Sequence, residues 1–152
     1  MLGLKSEFLC DIIGDLEDPI PVGNTCHGAR MIYKIKGGSV TGPKVKGEVL
    51  PMGADWLVLR PDGVAELDVR ASMRTDDGQV IYTCYKGILN IPLEVMKRFQ
   101  SGGAVEPSEY YFRTTPAFET GSEKYKWLSN IVAVGVGELG KNQVRYKVYQ
   151  IL

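Results

Sequence analysis

The sequence predicts a mainly β protein that folds as a single antiparallel β-barrel over residues 1–152. Turns containing Gly and Pro recur at short intervals, and the segments between them are rich in Val, Ile, Tyr, Thr and Trp. The clearest segment, residues 64–75, lies between the turns Pro61-Asp62-Gly63 and Asp76-Asp77-Gly78. Many strands with few helices favour a barrel, because closing the sheet removes exposed strand edges.

The strands follow from the apolar runs and the helices from their start and stop signals. A first helix is predicted over Pro92–Ser101, with a proline in its first turn and Gly102-Gly103 after its end. Ser122–Ser129 begins with a serine cap and predicts one or two further helical turns. We expect these helices to cap one mouth of the barrel, and residues 14–24 to form a loop. The predicted strands lie near residues 5–13, 28–36, 38–42, 44–51, 54–60, 64–75, 79–90, 109–115, 131–139 and 143–151.

Residues 65–74 separate into an apolar face and a charged face, because side chains in a strand alternate with a period of two. The apolar face must be buried. The charged face either lines a polar pocket or meets solvent through ordinary cross-strand ion pairs, and the spacing alone favours solvent. The apolar face holds Ala65, Leu67, Val69, Ala71 and Met73, and the charged face holds Glu66, Asp68, Arg70, Ser72 and Arg74.

Composition narrows the classes of partner and compartment. Lys plus Arg and Asp plus Glu number 18 each, so the chain lacks the basic excess that a nucleic-acid partner requires. No apolar run approaches the ~20 residues that span a bilayer, and the first residues lack the pattern of a signal peptide. The three cysteines, Cys10, Cys26 and Cys84, are far apart, which is typical of reduced thiols in a cytoplasmic protein without a metal site.

Two strand-associated motifs could carry chemistry. Asp55-Trp56 follows a break at Leu50-Pro51, so the carboxyl and the indole could protonate and stack on a ligand at a barrel mouth, or serve as a turn Asp and a core Trp. Arg113 shares a strand face with Tyr111, and an inward guanidinium would need an anion. That anion is either a ligand group or a protein carboxylate that braces the barrel.

Other candidates lie in loops. Glu119, Tyr125, Trp127 and Asn130 surround the second helical segment, as a hydrogen-bonding lid or as a satisfied loop. His27, the only histidine, is either structural or catalytic with a partner that spacing does not reveal. The sequence contains no phosphate-binding loop, no dinucleotide-binding motif and no nucleophile elbow. Any catalysis would therefore be acid–base chemistry without a cofactor.

These motifs, in this order, resemble a family of small bacterial and fungal proteins known as domain of unknown function 3237, or uncharacterised protein family 0311. The resemblance covers about residues 27–135, with Tyr149 in the closing strand. Each piece alone is weak, and the ordered set is specific. The matching residues are His27-Gly28, Gly37–Pro43, Gly47–Pro51, Gly53–Trp56, Arg60–Gly63, Leu67–Arg70, Thr75–Gly78, Tyr111–Pro116, Phe118-Glu119, Trp127-Leu128, Asn130 and Ala133–Gly135.

The resemblance implies a lipocalin-like or calycin-like barrel with an internal cavity and brings no established activity. Because polar residues recur in this family, the resemblance implies that the charged face of residues 65–74 lines the inside of the barrel. We therefore predict a cofactor-free dehydratase, isomerase or lyase acting on a partly apolar, oxygenated small molecule. The alternatives are a carrier or sensor with the same cavity and a protein-interaction module, and a homo-oligomer is left open. The expected catalytic residues are Asp55, Asp68, Arg70 and Arg113, with ligand contacts from Trp56, Tyr82, Tyr111, Glu119, Tyr125, Trp127, Asn130 and His27.

Overall fold

The structure is a computed structural model that describes residues 2–152. It contains one α-helix, α1 (Leu93–Gln100), and two short 3-10 helical turns at Pro107–Glu109 and Lys126–Asn130. The strands are β1 (Ser6–Leu16), β2 (Ile20–Thr25), β3 (Gly28–Thr41), β4 (Lys46–Val49), β5 (Ala54–Leu59), β6 (Ala65–Thr75), β7 (Val80–Asn90), β8 (Tyr111–Thr114), β9 (Ala117–Glu119), β10 (Val132–Gly140) and β11 (Gln143–Ile151).

Antiparallel pairing closes the sheet into a barrel. Eight strands follow one another around the wall in the order β6-β5-β3-β1-β11-β10-β8-β7, and β7 pairs again with β6. The short strands β4 and β9 extend this wall, β4 between β3 and β6 and β9 beside β7. The prediction of a single antiparallel β-barrel is confirmed.

The barrel core follows from strand alternation. On β6, Leu67, Val69 and Met73 are buried, while Arg70 and Arg74 between them are exposed. Helical segments add to the same core, since Val95 of α1 and Leu128 of the second 3-10 turn are buried in it. The predicted helix at 92–101 therefore exists as α1, and the one or two helical turns predicted at 122–129 are present as a turn followed by the 3-10 helix Lys126–Asn130.

Residues 14–24 differ from the predicted loop. β1 continues to Leu16, and Ile20–Thr25 forms β2 against the first half of β3. Pro19 and Pro21 favoured a loop because proline cannot donate a hydrogen bond to a neighbouring strand. β2 tolerates Pro21 because this strand pairs on one side only, with β3.

Gly37-Gly38 was expected to separate two strands, yet β3 runs through it for 14 residues. Both glycines have positive φ, 148° and 147°. At Gly38 a Cβ atom would overlap the carbonyl oxygen of Ile13, so only glycine allows β1 to approach this closely. The pair thus marks a bend in a continuous strand, at the point where β3 passes from the β2 and β5 partners to β1 and β4.

Candidate active site

A cavity of about 50 Å³ lies inside the barrel. This volume holds about three to five water-sized groups, because one such group needs about 10–15 Å³. Its wall is mainly aliphatic and includes Ile12, Ile35, Val69 and Val148. The polar side chains of the wall come from Asp55, Thr83, Tyr85, Thr114 and Tyr146.

Asp55 reaches the interior because of its position in strand β5. Its register partners are Tyr33 on β3 and Val69 on β6, and Val69 in turn pairs with Tyr85 on β7. Directly paired residues face the same side of a sheet, so these four side chains form one row on the inner wall. Asp55 is 9% exposed, and its carboxyl faces the cavity.

The environment of Asp55 favours its neutral form. Burial raises the pKa of this carboxyl from its ordinary 3.8 to about 7. A hydrogen bond from the backbone N–H of Asp68 to Oδ1, 3.0 Å long, opposes that rise, as does the positive charge of Arg30, while the negative Asp68 carboxylate adds to it. Among residues 2–152, this is the one hydrogen bond to the Asp55 side chain, which leaves Oδ2 free to meet a ligand.

Two tyrosines complete the polar part of the wall. The rings of Tyr85 and Tyr146 meet edge to face at 5.4 Å, and Phe112 packs edge to face on Tyr146 at 5.5 Å. Burial raises the pKa of both hydroxyls, and the charge of Asp55 raises them further. Both phenols therefore remain protonated donors across the physiological pH range.

The turn before Asp55 depends on a glycine. Gly53 has a φ of 89°, its carbonyl accepts a hydrogen bond from the Ile35 N–H at 3.1 Å, and a Cβ atom there would overlap the carbonyl oxygen of Arg70. Gly63 has a similar φ of 86° with open space around its Cβ position. Gly53 thus allows β5 to enter the wall beside β6, which places Asp55.

We expect Gly53→Ala to lower the free energy of unfolding by about 1–3 kcal/mol more than Gly63→Ala does. Both changes strain the backbone equally, and only the first forces a new side chain against the neighbouring strand. Urea unfolding of the two variants measures the difference. Equal losses would contradict the role given to the close approach at Gly53.

The structure corrects the prediction for Asp68 and Arg70. Both lie on the outer surface of β6, where the Asp68 carboxylate pairs with Lys86 at 3.1 Å with 43% of its side chain exposed, and Arg70 is exposed. Strand alternation alone indicated this placement, and the recurrence of polar residues in the resembling family was misread as an inner wall. The expectation that the charged face of β6 forms an inner wall of the barrel is therefore wrong.

Arg113 also faces outward, since its strand neighbours Phe112 and Thr114 are the buried residues of β8. Its guanidinium donates to the backbone carbonyl of Phe112 at 2.9 Å and lies 5.0 Å from the ring centre of Tyr111. Tyr111 is 52% exposed. The anion that an inward arginine would need is thus not required.

Further predicted ligand contacts lie outside the barrel wall. Trp56 alternates with Asp55 and is 39% exposed. Tyr82 and Glu119 pair across β7 and β9 on the outer face, with Tyr82 half-buried and Glu119 exposed. His27 is exposed in the turn between β2 and β3, where its backbone N–H donates to Thr25.

The segment around the second 3-10 turn is a satisfied structural element. The Tyr125 hydroxyl donates to the Asp77 carboxylate at 2.9 Å, and Lys124 pairs with the same carboxylate at 2.9 Å. The hydroxyl of Thr75 also donates to Asp77 and, together with Lys124 and Tyr125, holds the pKa of this carboxyl below its ordinary range. The contacts from Lys124 and Tyr125 tie this segment to the β6–β7 turn. Trp127 packs partly against the core, and Asn130 is exposed.

Of the predicted site residues, the structure thus places Asp55 in the cavity, and it adds Tyr85 and Tyr146. The sequence carried a signal for both tyrosines. Each falls on the buried face of its strand: Tyr85 shares its face with Ile81 and Thr83, and Tyr146 shares its face with Val144 and Val148. A hydroxyl on a face that must be buried is a candidate for the interior.

The remaining reactive groups lie apart from the cavity. Cys10 is buried, which raises its pKa to about 12, Cys26 is exposed and Cys84 is half-buried, and all three are unpaired. Within residues 2–152, no three His, Cys, Asp or Glu side chains gather closely enough to hold a metal ion. The same residues contain no helix with the length and apolar character needed to cross a membrane.

The fold and its interior define a small antiparallel β-barrel with an ionisable acid and two tyrosines facing a narrow apolar cavity. Residues 4–151 match the family described as "Protein of unknown function (DUF3237)", and the chain belongs to that family. The expected family is therefore confirmed.

Relatives of known sequence and structure agree with this assignment. A UPF0311 protein of Clostridium acetobutylicum is 41% identical over 97% of this chain and 94% of its own length. The crystal structure of the protein RPA1785 from Rhodopseudomonas palustris superposes with a TM-score of 0.94 at 36% identity, covering both chains fully. A β-barrel-like protein from Acinetobacter baumannii has a TM-score of 0.88 at 36% identity, covering 100% of this chain and 98% of its own.

A more distant structure shares the fold. It is described as an enzyme from Penicillium herquei and has a TM-score of 0.74 at 21% identity, covering 100% of this chain and 97% of its own. At this identity the likeness concerns the barrel alone.

Proposed function

We propose that the barrel binds a small, partly apolar, oxygen-bearing organic compound and catalyses a dehydration, an isomerisation or a lyase-type cleavage without a cofactor. The observation that carries this proposal is the Asp55 carboxyl, with a pKa of about 7, facing an apolar cavity. Groups with strongly shifted pKa values in clefts are candidates for function. Within residues 2–152, Asp55 takes part in no ion pair, so no salt bridge explains its presence in the interior.

Asp55 has the properties of a general acid or base. A proton-transfer catalyst works best when its pKa lies near the working pH, because both protonation states are then populated. At pH 7 roughly half of the Asp55 carboxyls would carry a proton. Oδ1 is held by the Asp68 N–H, so Oδ2 is the atom that would take or give the proton.

The cavity sets the size and polarity of the substrate. A volume of about 50 Å³ accepts the reactive end of a small molecule, and pockets for drug-sized ligands are larger, about 300–1,000 Å³. The aliphatic wall favours an apolar body, while Tyr85, Tyr146 and Thr114 supply hydroxyl groups for a ligand oxygen. The Penicillium herquei protein, described as an enzyme, has this barrel fold as well.

The cysteines support a cytoplasmic location. Cys10, Cys26 and Cys84 are unpaired and sit in three different environments. A reducing compartment preserves such thiols.

The test is product formation by the purified protein without added cofactor. Small carbonyl compounds (ketones, enones and β-hydroxy ketones) and small compounds without a carbonyl (allylic alcohols and 1,2-diols) are incubated with the protein, and both binding and conversion are followed by NMR. We expect at least one compound to bind and be converted at a rate that follows protein concentration. Binding without conversion in the whole set would replace the enzyme with a carrier or sensor, and no binding would favour an interaction module.

A further inference from the structure

Asp55 and Tyr85 face the cavity across one intervening strand. Val69 of β6 pairs with Asp55 on one side and with Tyr85 on the other. Neighbouring strands lie about 4.7–4.9 Å apart, so the two backbones are about 10 Å from each other. The carboxyl and the phenol thus lie on either side of the apolar Val69 side chain. A planar ligand group that packs on Val69 would have one edge facing the Asp55 carboxyl and the other facing the Tyr85 hydroxyl.

Tyr146 positions the ring of Tyr85 by packing against it. The two rings meet edge to face at 75°, and Phe112 fixes the Tyr146 ring from a further side at 83°. Tyr85 lies on the cavity wall, where its hydroxyl can donate a hydrogen bond to a ligand.

The wall also restricts the charge of the ligand. Its ionisable side chains are Asp55, Tyr85 and Tyr146, with Tyr33 next to Asp55 in the same row. Among the lining residues that the structure describes, none is Lys, Arg or His. Arg30 influences Asp55 from outside, where its guanidinium donates to the Trp56 carbonyl at 2.7 Å. A carboxylate or phosphate on the substrate would lack a partner in the cavity. A cationic group would pair with the Asp55 carboxylate and hinder it from acting as a base, so the ligand that fits the proposed chemistry is uncharged.

We infer that the substrate is a small, neutral, enolisable carbonyl compound, that Asp55 removes the proton α to the carbonyl, and that Tyr85 donates a hydrogen bond to the carbonyl oxygen. This inference rests on the proposed function and names its substrate class. An aspartate base combined with a tyrosine donor in an apolar site is an arrangement suited to this proton transfer. Tyr85 is then a catalytic residue, and Tyr146 is a positioning residue that acts through it.

The step balances without a further reactant. The Asp55 carboxylate takes the α-proton, and the electron pair of the broken C–H bond forms the C=C bond of the enolate. The π electrons of the carbonyl move to its oxygen, where the Tyr85 O–H stabilises the new charge. The Asp55 carboxylic acid then returns the proton to carbon, at the original position or, in an enone, at the conjugated one.

The test uses acetone, which is small enough for the cavity as a whole, and cyclopentanone, whose carbonyl end would enter it. Exchange of their α-protons for deuterium in D₂O is followed by ¹H NMR, at a pD about one unit above the Asp55 pKa, where the carboxylate predominates. We expect the protein to accelerate exchange, Asp55→Asn to remove ~10²–10⁴-fold of the rate, and Tyr85→Phe to remove ~10²-fold. Asp11→Asn and Tyr149→Phe, matched changes on the outer face, should leave the rate unchanged.

A second measurement does not depend on a variant that must fold. The ¹³C resonance of the carbonyl in labelled cyclopentanone should move downfield on binding to the unaltered protein, because hydrogen bonding from Tyr85 polarises the C=O bond. Tyr146→Leu removes the ring that packs against Tyr85, so it should lower the exchange rate and shrink this carbonyl shift, while thermal unfolding reports any general loss of structure.

The outcomes separate this inference from the proposed function. Exchange that needs Asp55 and survives Tyr85→Phe, with no carbonyl shift, would overturn the role of Tyr85 and leave Asp55 as the base. Absence of exchange with both ketones, beside Asp55-dependent conversion of another compound class, would overturn the substrate class alone. Absence of exchange, binding and conversion would overturn both.

Discussion

Asp55→Asn is expected to lower turnover ~100- to 10,000-fold while the barrel stays folded. The amide keeps the size of the side chain, and its oxygen can still accept the hydrogen bond from the Asp68 N–H. It cannot take or give a proton near neutral pH, which is the property assigned to Asp55. The rate is measured on a compound that the unaltered protein converts, with circular dichroism as the check on folding.

Asp11→Asn is the matched control for this prediction. Asp11 also lies on a strand, and its carboxylate pairs with Lys147 at 3.3 Å on the outer surface. This change should leave turnover within about twofold, because exposed ion pairs contribute little. Turnover that survives in Asp55→Asn would remove Asp55 from the mechanism, and equal losses in both variants would point to a general effect of lost carboxylates.

The same Asp55→Asn variant is expected to be more stable than the unaltered protein above pH 7, by up to about 4 kcal/mol. The pKa of Asp55 rises from 3.8 to about 7 on folding, and each unit of difference corresponds to about 1.4 kcal/mol. The folded state therefore holds its proton more tightly than the unfolded chain does. At higher pH, ionisation of this buried carboxyl lowers the free energy of unfolding of the unaltered protein. The variant avoids this loss because an amide does not ionise.

The sign of the pH dependence follows from this raised pKa. Below about pH 4 both states are protonated, so the favourable contribution of the neutral carboxyl is fully present. Between about pH 4 and pH 7 the unfolded chain loses its proton first, and the stability of the unaltered protein falls. Above pH 7 both states are ionised and the loss is complete.

Urea unfolding of both proteins at pH 4 and pH 8 measures this effect. At pH 4 we expect the two free energies of unfolding to differ only by the intrinsic effect of replacing the neutral carboxyl with an amide. At pH 8 we expect the free energy of unfolding of Asp55→Asn to be the larger of the two. A gap that does not change with pH would show that the Asp55 pKa is not raised in the folded protein. A gain in stability together with lost turnover is the stability–activity trade-off expected at a functional site.

The sequence patterns predicted the wall of the barrel because they report local physics. The alternation of residues 65–75 identified which face of β6 is buried, and the apolar runs located β5, β7, β10 and β11 to within a residue or two. Proline misled the prediction at residues 14–24, because the sequence does not reveal that β2 has a neighbour on one side only. Gly37-Gly38 misled it for a similar reason, since a bend within a strand and a turn between strands use the same residues.

The candidate site shows the limit of residue chemistry taken alone. Trp56 is apolar and Asp55 is charged, so composition would place the indole inside and the carboxyl outside. The structure has the reverse, with Trp56 39% and Asp55 9% exposed. The register of β5 between Tyr33 and Val69 decides this, and register is a property of three strands together.

The sequence by itself determined that the chain is a β-barrel, which face of β6 it buries and to which family it belongs, because alternation, turn residues and ordered motifs are local. Only the tertiary structure decided that the acid in the cavity is Asp55 and that Asp68 pairs outside with Lys86. It also decided that Tyr85 and Tyr146, 61 residues apart in the chain, meet at 5.4 Å. Closure of the sheet brings distant strands to one interior, and burial there gives a carboxyl a pKa that no neighbour in the sequence could confer.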